Sequence, residues 1–181
     1  MSSTTSALLI AFLGIVGTLA SALLTQHSAN NSKRRELEHA DRQRREEREY
    51  QARQEAVEAR RACYVALNTA ARLFLTELAN YLYDLQAGKP TDAVREKVEE
   101  ARREHRARHA EAQMIVPDPV LTAAREVNSN LGALYGVLKR IDSGSPEEGE
   151  TVEEADDMRL RAWEPIATMR TVMRRDLGIA P

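Results

Sequence analysis

His105 and His109 stand four residues apart in a stretch rich in helix formers, the spacing at which two imidazoles on one helical face can reach a single metal ion. Glu104 and Glu111 lie close by, yet a di-iron bundle would carry Glu three residues before each His, and those positions hold Arg102 and Arg106. No other pair of ligand types shares the pattern. The expectation is therefore two histidines on a partly solvated face, with no cofactor and with His105 and His109 as the sole, weak candidates for metal. Cys63 is the only cysteine, so no intrachain disulfide can form, and a reducing compartment fits that count. A nucleophilic thiol needs an activating base, and none can be placed beside Cys63 from sequence, which makes it a small apolar residue. The acidic run from Asp142 to Asp157, with Glu147, Glu148, Glu150, Glu153, Glu154 and Asp156, lacks the alternating ligands, central Gly and closing Glu of a calcium loop. It reads as a solvated loop and helix start whose acids complement the helix dipole. No phosphate-cradling loop, nucleophile elbow or metalloprotease signature occurs, so no catalytic residue is assigned.

The elements that carry these residues are helices. Charged residues make up 30% of the 181-residue chain, aromatics only 4%, and Gly and Pro number eight and six, a balance that suits helices better than sheets. Apolar periodicity begins near Cys63. Tyr64, Asn68, Ala71, Leu75, Leu78, Leu82 and Leu85 form a seam flanked by Leu67, Phe74 and Tyr81, on a helix over 62–87 that Gly88 and Pro90 end. Thr91 caps a second helix over 91–114 with a weak seam of Val94, Val98, Ala101, His105, Ala112 and Ile115. Asp118 is the expected N-cap of a third over 118–142, with Pro119 at its first position and the cleanest repeat in the chain: Val120, Ala124, Val127, Leu131, Leu134, Leu138 and Ile141. A fourth, over 150–177, points Val152, Ala155, Ala162, Ile166, Met169 and Met173 inward with Trp163 nearby, and Pro165 must kink or split it. Short loops between long helices imply an antiparallel up-down four-helix bundle over 62–181, with Val127 to Ile141 facing Leu67 to Leu85.

Two further segments precede the bundle. Residues 26–61 read as a charged helical stalk: no Gly or Pro interrupts it, and Leu37, Ala40, Ala52, Ala56 and Val57 keep no heptad seam. Glu38–Arg42, Asp41–Arg45 and Glu49–Arg53 are acid-before-base pairs four apart, each a small aid to a helix in water. Some thirty residues at about 1.5 Å each would span roughly 45 Å. Residues 7–25 carry no charge and reach the length that crosses a bilayer, with insertion favoured by about 3 to 6 kcal/mol from their large apolar side chains. Lys33, Arg34 and Arg35 follow this span and no cation precedes it, so residues 1–6 are placed outside the cell membrane and the remainder in the cytoplasm, the three cations near lipid headgroups. The competing reading is a signal peptide cleaved at Ala20-Ser21-Ala22 and a secreted product, against which stand the missing basic n-region and the long apolar run. Ala7, Ala11, Gly14, Thr18, Ser21 and Thr25 recur at alternating spacings of four and three, and this stripe of small residues is a candidate surface for homo-oligomers in the membrane.

The run Gly14-Ile15-Val16-Gly17-Thr18-Leu19-Ala20-Ser21-Ala22-Leu23-Leu24-Thr25-Gln26, followed by an Arg/Glu helix, resembles small single-span membrane proteins of actinobacteria. The resemblance covers the first third of the chain. It implies a membrane anchor and brings no catalytic or binding residues.

The all-α chain, a transmembrane helix, a charged helix and a bundle, is thus expected to be a membrane-tethered interaction or scaffold module. Its partners would be the lipid bilayer and a cytoplasmic protein. A formal net charge of −2 and arginines interleaved with acids argue against nucleic acid. Two alternatives remain open: a small-ligand or metal sensor with a pocket around His105, Asn68 and Tyr64, and a membrane-active oligomeric effector.

Overall fold

The computed structural model describes the backbone of residues 3–88 and 90–179, and the side chains of Ser21, 39–88 and 90–179. Among the described residues there are five helices and no strand: α1 (Ser3–Gln86), α2 (Asp92–Ile115), α3 (Asp118–Asp142), α4 (Val152–Arg161) and α5 (Trp163–Asp176). The chain divides into two units, 1–54 and 55–181, and α1 contributes to each.

In the first unit, the side chains from His39 to Gln54 are exposed except for the half-buried Ala40, as the missing apolar stripe requires. Arg53 and Glu49 pair at 3.3 Å, and Gln54 Nε2 donates to the Tyr50 hydroxyl at 2.7 Å. So exposed an ion pair contributes little. The expected Asp41–Arg45 pair is not formed. Both side chains are free in water, where an unpaired rotamer keeps its entropy. Among the described residues no helix is long and apolar enough to cross a membrane. The 7–25 span, its stripe of Ala7, Ala11, Gly14, Thr18 and Thr25, the Glu38–Arg42 pair and the cations Lys33, Arg34 and Arg35 lie outside the described side chains. Ser21 alone is described, and it is exposed.

The second unit is a helical bundle, and its core follows the apolar repeats. From α1 it takes Tyr64, Leu67, Ala71, Phe74, Leu75, Leu78, Tyr81 and Leu82. From α3 it takes Val120, Ala124, Val127, Leu131, Leu134 and Leu138. Ala155, Ala162, Ile166, Met169 and Met173 close it from α4 and α5. Three side-chain ties fix the direction of the helices. The Tyr81 hydroxyl, near the end of α1, donates to Asp142 at the end of α3 at 2.6 Å, and Arg95 in the first turn of α2 reaches the same carboxylate at 2.8 Å. The Tyr64 hydroxyl, a turn into the buried part of α1, donates to Asp176 at the end of α5 at 2.6 Å. Within this unit α1 and α3 therefore run one way, and α2 and α5 the other. The Phe74 and Tyr135 rings, 6.3 Å apart, join the two helices expected to face one another.

Local chemistry sets the helix ends. Gly88, at φ +66°, takes the left-handed conformation that only glycine adopts without strain and so ends α1. Thr91 and Thr151 each accept a backbone N–H three residues on, from Val94 at 3.3 Å and Glu154 at 3.2 Å. The expected cap at Asp118 is not there. Pro117 occupies the cap position, α3 begins at Asp118, and no side chain caps it. Pro119, without an N–H, already lowers the number of donors that a cap would serve. Pro165 splits the last helix: it cannot donate to the carbonyl of Arg161 and its ring crowds that carbonyl, so α4 stops at Arg161 and α5 restarts at Trp163.

Candidate functional site

α2 offers few large apolar side chains, and its inward stripe is Val98, Ala101, His105, His109 and Ala112. The imidazoles fill the volume that leucines would fill elsewhere. His105 is 1% exposed and His109 9%, which corrects the partly solvated face expected for them. The ring of His105 lies 5.7 Å from that of Phe74 and 6.4 Å from that of His109. The Nε2 atoms of both are buried without a hydrogen-bond partner, and His109 Nδ1 has Gln113 Nε2 at 3.4 Å. Burial drives the His105 pKa down to about 4, with the neighbouring His109 adding to the effect. Burial, then Arg125, lowers that of His109. Both rings are therefore neutral at pH 7, the form that could ligate a metal. Among the described residues, however, no group of three or more His, Cys, Asp or Glu is placed to hold one.

Cys63 is buried, and burial followed by the charge of Glu111 raises its thiol pKa, the opposite of what activates a nucleophile. The acidic run is less solvated than its composition implies. Asp142 accepts from both Arg95 and Tyr81, and the hydrogen bond from Arg95 leads in holding its carboxyl down to about 2. Glu150 accepts from Arg140 Nε at 2.7 Å, and that bond above all lowers its pKa to about 2. These two acids fasten the ends of the α3–α4 loop, while Glu147, Glu148, Glu153 and Glu154 are exposed. The pocket expected around His105, Asn68 and Tyr64 does not form as a unit. Tyr64 and Asn68 line a groove between α1 and α5, whereas His105 packs against Phe74 inside the core.

Grooves lie on either side of α1, whose outer crest shows Val57, Val65 and Leu73 at 52%, 62% and 46% exposure. Toward α2 a groove of about 680 Å³ has a floor of Ala62, Val65, Ala66, Thr69, Ala70 and Leu73, with Glu58, Arg61, Glu104 and Arg108 on its walls. It continues past Leu73 into a second groove, where Glu77, Glu100 and Glu104 alternate with Lys97 and Arg103. Arg108 is engaged there already, with Glu104 at 2.7 Å and Glu111 at 3.1 Å.

Toward α5 the lining changes. A groove of about 220 Å³ is walled by Arg61, Arg170 and Arg174 over Tyr64, Val65, Met173 and Leu177. A neighbouring one of about 230 Å³ adds Arg72, Trp163, Ile166 and Ala167. Asn68 and Arg170 belong to both, and the Asn68 Oδ1 is buried without a donor. No carboxylate lines either groove. Asp176, nearby, is taken up by the Tyr64 hydroxyl and by Arg60 at 3.3 Å. The Arg72 guanidinium stacks over the Trp163 ring at 5.5 Å, and neither it, Arg61 nor Arg170 is paired with an acid among the described residues. The sequence reading missed this set of arginines. Its signal is the run 61, 65, 68 and 72 on α1 and 163, 166, 170 and 173 on α5, spacings of three and four that keep each set on one face. Comparison with protein-family models, with curated proteins and with solved structures finds no match to this chain.

Proposed function

We propose that the protein is a membrane-tethered helical bundle that serves as a protein–protein interaction or scaffold module, with its N-terminus outside the cell membrane and the bundle in the cytoplasm. The observation that carries the interaction reading is the crest of α1: large apolar side chains left exposed between two grooves, in a helix whose opposite face is fully buried. The uncharged stretch 7–25 and the cations at 33–35 support the tether and its sidedness. Cys63 is buried and is the only cysteine, which makes a topology test direct. In a Cys63→Ala background, Ser3→Cys should react with a membrane-impermeant maleimide in intact cells, and Tyr83→Cys only after lysis. Labelling of Tyr83→Cys from outside would overturn the sidedness, and a mature chain in the medium beginning near Leu23 would overturn the tether.

A second reading, a small-ligand or metal sensor, draws on the two buried imidazoles with unpartnered Nε2 atoms. Its test is a thermal-shift series with zinc and iron. A rise in melting temperature lost in His105→Leu would favour it, and no rise with either metal removes it.

A further inference from the structure

The grooves beside α5 are lined by arginines and no acid, unlike those toward α2; Arg61, on the crest, borders both sides, while Arg72, Arg170 and Arg174 line only the acid-free side. Arg61 and Arg72 are eleven residues apart, about 16 Å along the helix, and Arg170 stands across from them in both grooves. Between the cations lie Val65, Met173 and the half-exposed Trp163. We propose that this groove between α1 and α5 receives an acidic amphipathic helix of a partner protein, its carboxylates meeting Arg61, Arg72 and Arg170 and its apolar face resting on Val65, Met173 and Trp163. The proposal rests on the interaction-module reading and names the chemistry of the partner.

Two features select that occupant. Its charges must be spread, because a cation every turn or two over about 16 Å matches carboxylates repeating at helical spacing, whereas one lipid phosphate would satisfy a single arginine or two. It must also be apolar on one side, since the groove floor alternates with its cations in the manner of helix-in-groove recognition. The same separation of one-signed rim and apolar floor disfavours the mixed-charge surfaces found elsewhere on the bundle, where Arg102, Arg108, Arg159 and Arg161 are paired within the chain.

Trp163 is the only tryptophan and lines the site, so its emission reads occupancy. The probe is a set of tryptophan-free helical peptides of about five turns, each with one leucine face and glutamates along its flanks in differing phase. They are titrated into the full chain in non-ionic detergent. At least one peptide should give a saturable blue shift, weaken about tenfold with Arg170→Glu, weaken less with Arg170→Lys, and be unchanged by Glu104→Arg on the opposite side of α1. A version with lysine for glutamate should not bind. Circular dichroism confirms that each variant, changed at an exposed position, is folded. The proposal is overturned if no peptide of the set binds, or if Arg170→Glu binds as tightly as the parent chain. It is equally overturned if only phosphatidylglycerol vesicles shift the emission, which assigns the groove to lipid, or if dilution alone shifts it, which assigns it to a second copy. Because the titration needs no membrane, its failure leaves tether and sidedness standing, and a failed topology test leaves this result standing.

Discussion

The two flanks of α1 solve the same problem, covering one helix with another, in opposite ways. Toward α2, Phe74 inserts against His105, and the rim charges alternate in sign so that Glu104, Arg108 and Glu111 satisfy one another. Toward α5, the aromatic is Trp163, 41% exposed, and the rim carries arginines only. A seam with both signs closes its own field, while a seam with one sign projects it into solvent for something else to neutralise. The lesson is that the two sides of one helix are finished differently, one with its charges satisfied and one with its cations left toward solvent.

The largest test of that division compares the two aromatics. Phe74→Ala empties a fully buried site between α1, α2 and α3 and should destabilise the bundle by about 3–5 kcal/mol in urea denaturation. Trp163→Ala removes a half-exposed ring and should cost under about 1.5 kcal/mol. Equal losses would mean that the α5 flank is packing after all. Above the range where Asp142 and Glu150 take up protons, acid should act through the α2 flank. His105 is neutral in the fold with a pKa near 4, and takes a proton near 6.5 when unfolded. The unfolded chain therefore binds more protons across that window, and the stability present above about pH 6.5 is lost as pH falls toward 4, by up to about 3 kcal/mol. His105→Leu should remove most of that slope while leaving stability at pH 7 within about 1 kcal/mol, because it also removes a buried nitrogen without a partner. The tyrosine ties sharpen the comparison further. Tyr81→Phe should cost about 1–2 kcal/mol, and Tyr64→Phe about half as much, because the Asp176 it releases is the more exposed carboxylate. The smallest effects concern the rims. Arg170→Glu should leave the melting temperature unchanged, since it breaks no ion pair, and Glu104→Arg should lower it by under about 2 °C.

The fold was largely legible in the sequence because helices α1, α3 and α5 carry their inward residues at unbroken spacings of three and four. The ends were marked by residues with stereochemical reasons, Gly88, Thr91 and Pro165 among them. What escaped had no periodic signature. His109 lies on the inward stripe of α2, but a polar side chain there reads as surface until its ring is seen buried beside that of His105. Asp142 and Glu150 belong to a run of like acids, and only the arrival of Arg95 and Arg140 separates them from their exposed neighbours. The arginines of the α5 groove come from two segments about a hundred residues apart, and no local pattern joins Arg61 to Arg170. Membrane attachment stands on 7–25 and 33–35 and is a matter for the topology experiment.

The interruption at Ala162 has a consequence for how the bundle yields. It leaves α4 as ten residues with one wholly buried side chain, Ala155, while α5 keeps Ile166, Met169 and Met173 in the core. So short a segment cannot sustain itself, and with only Ala155 fully buried and Val152 and Met158 half-buried against the core it is the part that frays first when the native state fluctuates. The amide protons of α4 then trade with solvent through local breathing, and those of α5 wait for the whole assembly to come apart.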